Sequence, residues 1–293
     1  MSAMSIAISE TESSAVAMPA PPRLNLLEAL RAHWPEYLME AAGLGICMIA
    51  ACIFGALYEF PGSPVRQAIG SLTVRRILMG ISMGATALAI VHSPWGKQSG
   101  AHINPSVTFT YLRLGKVRHW DAVFYVAAQF IGAVAGVFLI ALVLGRAVAD
   151  PAVRYLVTVP GPGGVLPAWA GEFAMATGMM SVILYFSNHH RFDGCTGLFT
   201  ALRATIYITI AAPFTRPSLN PARSLGSALN ADIWRGLWTY LTASPLGMLL
   251  AAECYLLLYG KQAVKCCKLH HQNNKRCIFC GANGGFSRPG KAA

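Results

Sequence analysis

The chain has 293 residues, of which 55% are hydrophobic and 12% charged, with a mean hydropathy of +0.48. That is too apolar and too poor in charge for an average soluble domain, and it points to a protein that crosses a membrane several times. The net charge of +11 would suit a nucleic-acid partner, but the basic residues are dispersed through loops and a tail instead of forming one surface stripe, which argues against it.

Residues 1 to 33 are rich in Ala, Ser and Pro, with Glu10 and Glu12 where a signal peptide would carry positive charge. They read as a disordered tail without a cleavable signal. The first apolar run, Ala41 to Tyr58, lies between Glu40 and Glu59, and the second, Ile77 to Gly96, follows Arg75 and Arg76. Both are long enough to cross a bilayer. A short motif follows, Ser99-Gly100-Ala101-His102-Ile103-Asn104-Pro105-Ser106-Val107, and then a third span from Ala122 to Gly145. A Gly- and Pro-rich connector over 150 to 167 leads to a fourth span near Ala168 to Ser187, interrupted by Glu172, and a fifth near Gly197 to Ala212. The second motif is Arg216-Pro217-Ser218-Leu219-Asn220-Pro221-Ala222-Arg223-Ser224, followed by a sixth span from about Trp234 to Tyr259 and a basic tail over 261 to 293.

The order Glu, helix, helix, half-helix, helix therefore occurs twice, over about 34 to 146 and about 165 to 260. Three spans per copy is an odd number, so the second copy must be inverted across the membrane. The expected fold is an all-α membrane protein with six transmembrane helices and two re-entrant half-helices. Orientation follows from Lys and Arg: fifteen of the 23 fall on the side that would hold both termini and eight on the other, which places both termini in the cytoplasm.

Asn is a favoured helix N-cap, and Pro is favoured next because its missing N–H would have had no partner. Each Asn-Pro should start a helix, and the one after Asn104 runs only to Arg113, about half of a roughly 30 Å hydrocarbon core. If the side-chain oxygens of Asn104 and Asn220 cap their helices, both amide NH₂ groups are left facing outward as donors. Two half-helices entering from opposite sides put their positive ends at one depth, which opposes cations and orients neutral guests. Arg223 lies one turn beyond Asn220, whereas Val107 holds the equivalent place in the first copy.

Two such motifs in matching places within two apolar halves resemble the major intrinsic protein family, the aquaporins and glycerol facilitators. Small residues four apart, Gly132 and Gly136 in helix three and Gly247 near Ala251 in helix six, allow close helix packing and extend the resemblance over most of 36 to 260. The resemblance implies a pore motif of Asn104, Pro105, Ser106, Asn220, Pro221 and Ala222, with Ser106 in place of the usual Ala. It implies a homotetramer with one pore per subunit in the lipid bilayer, and an Arg and half-helix barrier of the kind such pores use. It also implies an acceptor ladder of carbonyls at Gly100, Ala101 and His102 and at Pro217, Ser218 and Leu219. Carried over by spacing, the narrow filter falls on Arg223, Met79, Ile208 and Pro217. Water-selective members carry a His on helix five and an aromatic on helix two, and neither is present here, so the constriction is expected to be less polar and open to small solutes besides water. Residues 93 to 98 look like an insertion ahead of the first motif.

Glu40 and Glu172 could form a proton relay, or could accept backbone N–H bonds from the irregular chain before each half-helix; the second reading is favoured and the resemblance implies it too. His102 is either a pH gate or, more ordinarily, a satisfied structural histidine. In the tail, Cys267 and His270 with Cys277 and Cys280 supply enough N and S ligands for a tetrahedral zinc, although their spacing is shorter than in standard fingers. Lipidation at Cys266 and Cys267, or a solvated basic tail on anionic lipid, are the alternatives.

The reading is a passive channel for water and other small uncharged solutes that excludes protons and ions and needs no cofactor for transport. A facilitator of glycerol, ammonia or similar solutes with little water selectivity is the alternative, and a secondary transporter is the rival from another class, since inverted repeats with broken helices also build carriers. No nucleophile and base pair or hydride-cofactor motif emerges, which argues against an enzyme.

Overall fold

The computed structural model describes residues 24–189, 191–211 and 215–281. The disorder expected of residues 1–23, the tail beyond residue 281 and the end of the fifth span at residue 212 lie outside these. In chain order the helices are α1 (Leu26–Glu59), α2 (Pro64–Ala68), α3 (Leu72–His92), α4 (Pro94–Ser99), α5 (Pro105–Arg113), α6 (His119–Leu144), α7 (Arg146–Ala149), α8 (Val165–Asn188), α9 (Thr196–Ala211), α10 (Pro221–Ala231) and α11 (Leu237–Tyr259). Among the described residues there is no strand.

The expected architecture is present. Long helices α1, α3 and α6 with half-helix α5 form one repeat, and α8, α9 and α11 with α10 form the other. Four of the long helices, α1, α3, α6 and α11, are apolar and long enough to cross a membrane, and α9 is a shorter apolar helix. Helix α6 packs on α1 as α11 packs on α8, while α3 and α9 pair across the repeats. The glycines at these crossings have no room for a side chain. A Cβ on Gly132 would collide with the Ala41 carbonyl, one on Gly136 with that of Gly45, and one on Gly247 with that of Phe173.

Two boundaries differ from expectation. Helix α1 starts at Leu26, inside the segment expected to be disordered, because Asn25 and Glu28 form a capping box with each other's backbone N–H at 2.9 Å. The added turns are held by α6: His33 Nδ1 lies 2.7 Å from Asp121 Oδ1, and the Tyr37 hydroxyl donates to the same oxygen at 2.7 Å. The suspected insertion at 93 to 98 is the short helix α4, N-capped by Ser93, so α3 ends at His92.

Candidate functional site

The two motifs fold into short irregular loops that end where α5 and α10 begin. Asn104 Oδ1 accepts from Ser106 N at 2.9 Å, and Asn220 Oδ1 accepts from Ala222 N and Arg223 N at 3.1 and 3.2 Å. With each oxygen committed to its cap, the amide nitrogens are the free ends, and they cross to the other repeat. Asn104 Nδ2 donates to the Leu219 carbonyl at 2.7 Å, and Asn220 Nδ2 donates to the Ile103 carbonyl at 2.8 Å. The sequence leaves both hydrogens of each amide for a guest; the structure takes one of each for the bridge and leaves one.

Those carbonyls are aimed by backbone that L-residues rarely adopt. Ile103 and Leu219, each just before its Asn, have φ of 39° and 58°, and Ala101 and Arg216 are also left-handed at 54° and 46°. Such a residue costs about 1–2 kcal/mol, so the loops need outside support. Glu40 gives it on one side, accepting from His102 N at 3.1 Å, Ile103 N at 2.6 Å and Ser99 Oγ at 2.7 Å. Glu172 gives it on the other, accepting from Ser218 N and Leu219 N, both at 2.8 Å. Both carboxylates are fully buried.

A second tier of support repeats with the same register and was not singled out from the sequence. Tyr125 on α6 donates to the Ser99 carbonyl at 2.8 Å, and Tyr240 on α11 donates to the Thr215 carbonyl at 2.6 Å. One turn on, Gln129 Nε2 donates to Glu40 Oε2 at 2.8 Å and Ser244 Oγ to Glu172 Oε2 at 3.3 Å. Each accepting carbonyl stands five residues before its Asn. That equal offset from two helices known to be repeats is the signal that could have found the tyrosines.

Asn104, Asn220 and Arg223 share the wall of one cavity of about 540 Å³ with all of the filter positions carried over by spacing, Met79, Ile208 and Pro217. Arg223 Nη1 is buried and has no hydrogen-bond partner among the described residues. Val107 stands in the wall where the first repeat has no Arg. The connector between repeats covers the Arg223 end: Val157 and Thr158 are buried, Thr158 Oγ1 donates to Ser224 Oγ at 3.0 Å, and both residues line the cavity. Pro105, Pro221 and Ala222 are buried at the helix starts, behind the wall. Ser106 is buried there as well, and its hydroxyl neither faces the cavity nor finds a partner among the described residues.

The acceptor ladder needs one correction. Ala101, His102, Ser218 and Leu219 line the cavity, but Gly100 does not, and its carbonyl accepts from Leu269 N at 3.1 Å. The tail is folded onto the end of the cavity opposite Arg223. His102 is held from both sides, Nδ1 by Thr108 Oγ1 at 3.1 Å and Nε2 by the Cys267 carbonyl at 2.9 Å. A carbonyl only accepts, so Nε2 carries a proton. This is a satisfied histidine.

The tail donors also sort differently from expectation. Cys266, His271, Cys277 and Cys280 bring one ligand atom each to within 4.8 Å of one another. Cys277 and Cys280 were expected; Cys267 and His270 were expected in place of their neighbours Cys266 and His271. Cys267 instead turns its thiol toward the Lys116 carbonyl at 3.6 Å, and His270 packs its ring 5.0 Å from that of His92. Both face the helical body of the chain, which leaves their neighbours to face each other.

Residues 32–255 match the family described as major intrinsic protein. The chain is 34% identical over 183 residues to Aquaporin NIP6-1 of Arabidopsis thaliana, covering 62% of this chain and 58% of that protein. It is 30% identical over 224 residues to Aquaporin NIP1-2 of Oryza sativa subsp. japonica, covering 76% of this chain and 68% of that one. Among solved structures, the aquaglyceroporin from Plasmodium falciparum superposes with a TM-score of 0.63 at 20% identity, over 76% of this chain and 95% of that one, a likeness of fold. With the inverted repeat, the paired Asn-Pro caps and the shared cavity, these matches establish that the chain belongs to the major intrinsic protein family.

Proposed function

We propose that the protein is a passive membrane channel that conducts water and other small uncharged solutes through this cavity while excluding protons and ions. The observation that carries the reading is the reciprocal bridge of Asn104 to Leu219 and Asn220 to Ile103 in the wall of one cavity. One amide hydrogen per Asn remains, so a guest at that depth must present its oxygen to both. The N-termini of α5 and α10 meet at the same place with their positive ends together, which opposes a cation and breaks a uniformly oriented water chain.

Ile208 cannot hydrogen-bond and Met79 offers only a weak thioether acceptor, so of the filter positions Arg223 supplies the strong side-chain donor, and its Nη1 has an unfilled donor. Such a constriction suits neutral solutes that carry both polar and apolar surface as well as water. Glu40 and Glu172 spend their oxygens on backbone N–H groups, which favours scaffolding over proton coupling and so a channel over a carrier. The Lys and Arg count supports cytoplasmic termini, and exposed apolar residues such as Val143 and Leu257 suit lipid and the neighbours in a homotetramer. Transport needs no cofactor.

Reconstituted vesicles tested for swelling in water, glycerol, urea and ammonia check the reading. Faster volume change than in empty vesicles for water and at least one other solute supports it, and rates equal to empty vesicles for all four, both in the chain as isolated and after a metal chelator, contradict it.

A further inference from the structure

The tail carries a site that the channel reading does not use. Cys266 Sγ lies 3.6 Å from Cys277 Sγ, and His271 Nε2 lies 3.2 Å from Cys280 Sγ. Zn–S bonds of about 2.3 Å and a Zn–N bond of about 2.0 Å in a tetrahedron place neighbouring donors about 3.5–3.8 Å apart, close to this arrangement. Cys266 and Cys277 are buried, whereas the only regular structure among the described tail residues is the single 3-10 turn Lys261–Ala263. A segment this short has too little core of its own to hold that shape, and a thiolate-rich metal would supply what is missing.

Within the segment between the first two donors, residues 267 to 270, Cys267 and Leu269 make the contacts to the channel mouth. Leu269 is 4% exposed and lines the cavity that holds Asn104, Asn220 and Arg223. Its N–H takes the Gly100 carbonyl, the Cys267 carbonyl takes His102 Nε2, and Phe279 stacks on the His102 ring at 5.8 Å. Arg276 clamps the far side, donating from Nε and Nη2 to buried Glu36 at 2.8 and 2.7 Å. The donors thus bracket the inserted residues on either side.

We propose that Cys266, His271, Cys277 and Cys280 bind a zinc ion, and that the loaded knuckle seats Leu269 in the cytoplasmic mouth as a plug, so that loss of metal raises permeability. The plug rests on the channel reading; the metal site does not. On binding, three thiols release their protons to solvent and the imidazole binds neutral, leaving the site with one net negative charge, with Lys265, Lys268 and Lys275 nearby in sequence to balance it. A reducing cytoplasm keeps Cys266 and Cys277 from closing into a disulfide instead.

The test uses the full chain in vesicles, with zinc read by elemental analysis and permeability by osmotic stopped flow. About one zinc per chain is expected, lost in the Cys277→Ser, Cys280→Ser double variant and kept in Leu269→Ala. Both variants, and the unaltered chain after a membrane-permeant chelator, should conduct several-fold faster than the zinc-loaded chain. Chains without zinc, or zinc unaffected by the double substitution, would overturn the metal site. Zinc loss with unchanged permeability in a conducting protein would overturn the plug alone. Vesicles that conduct none of the solutes in any form would overturn the channel reading and the plug with it, and leave the zinc result standing.

Discussion

Asn104 and Asn220 are each bonded to the loop of the other repeat, through the carbonyls of Leu219 and Ile103 at 2.7 and 2.8 Å. The bridge makes the two half-helices one unit. Replacing Asn104 by Ala removes a helix cap, worth about 1 kcal/mol, and the bond to the part-buried Leu219 carbonyl, worth about 0.5–1.5 kcal/mol. The thermal unfolding midpoint in detergent should fall accordingly, and Asn220→Ala should lower it by a similar amount. A large loss for one and none for the other would show that the repeats are not coupled through this pair.

Glu172 distinguishes a scaffold from a proton relay. In Glu172→Gln one carboxylate oxygen becomes an NH₂ that faces a backbone N–H of Ser218 or Leu219 instead of accepting from it. A destabilisation of about 1–3 kcal/mol is expected, with the pH dependence of solute flux unchanged. Flux that loses a pH dependence in the variant would make Glu172 a transport group.

Arg223→Val would make the second repeat resemble the first, which has Val107 at that place in the wall. With the fixed charge gone, permeability to urea and glycerol should rise relative to water, and the barrier to cations should weaken. Unchanged ratios in the swelling panel would place the filter elsewhere.

Helix packing offers a test independent of transport. Any side chain at Gly132 meets the Ala41 backbone carbonyl, which cannot move aside as the end of a flexible side chain could. Gly132→Val should cost more than about 3 kcal/mol, as overpacking against backbone does, and lower the folded yield. Gly115 has open space around the position of an added Cβ, though its φ of 71° still favours glycine, so Gly115→Ala should be milder. Equal yields for the two would refute the crossing.

Much of this was legible in the sequence because it is local chemistry repeated twice. Asn-Pro starts a helix from its own cap, and a Glu in an apolar run needs donors, so Asn104, Asn220, Glu40 and Glu172 could be placed without coordinates. Met79 of α3 and Ile208 of α9 were placed by the family resemblance, carried over by spacing, and both line the cavity wall. The tail was not legible in this way. Its contacts span large separations, as from Leu269 to Gly100 and Arg276 to Glu36, and an irregular segment has no period to say which of Cys266 and Cys267, or of His270 and His271, turns inward. The early start of α1 is different: Asn25 and Glu28 form a capping box that the sequence spells out, outweighed in the reading by the Ala- and Pro-rich residues before it.

The account rests most directly on water flux through the Asn104 and Asn220 cavity. Stopped-flow shrinkage of chelator-treated vesicles carrying the full chain, with a pH-sensitive dye inside, measures that flux and the proton leak together. Shrinkage well above that of empty vesicles with no added proton leak is the predicted result, and shrinkage no faster than empty vesicles, or fast shrinkage with a matching proton leak, would contradict it.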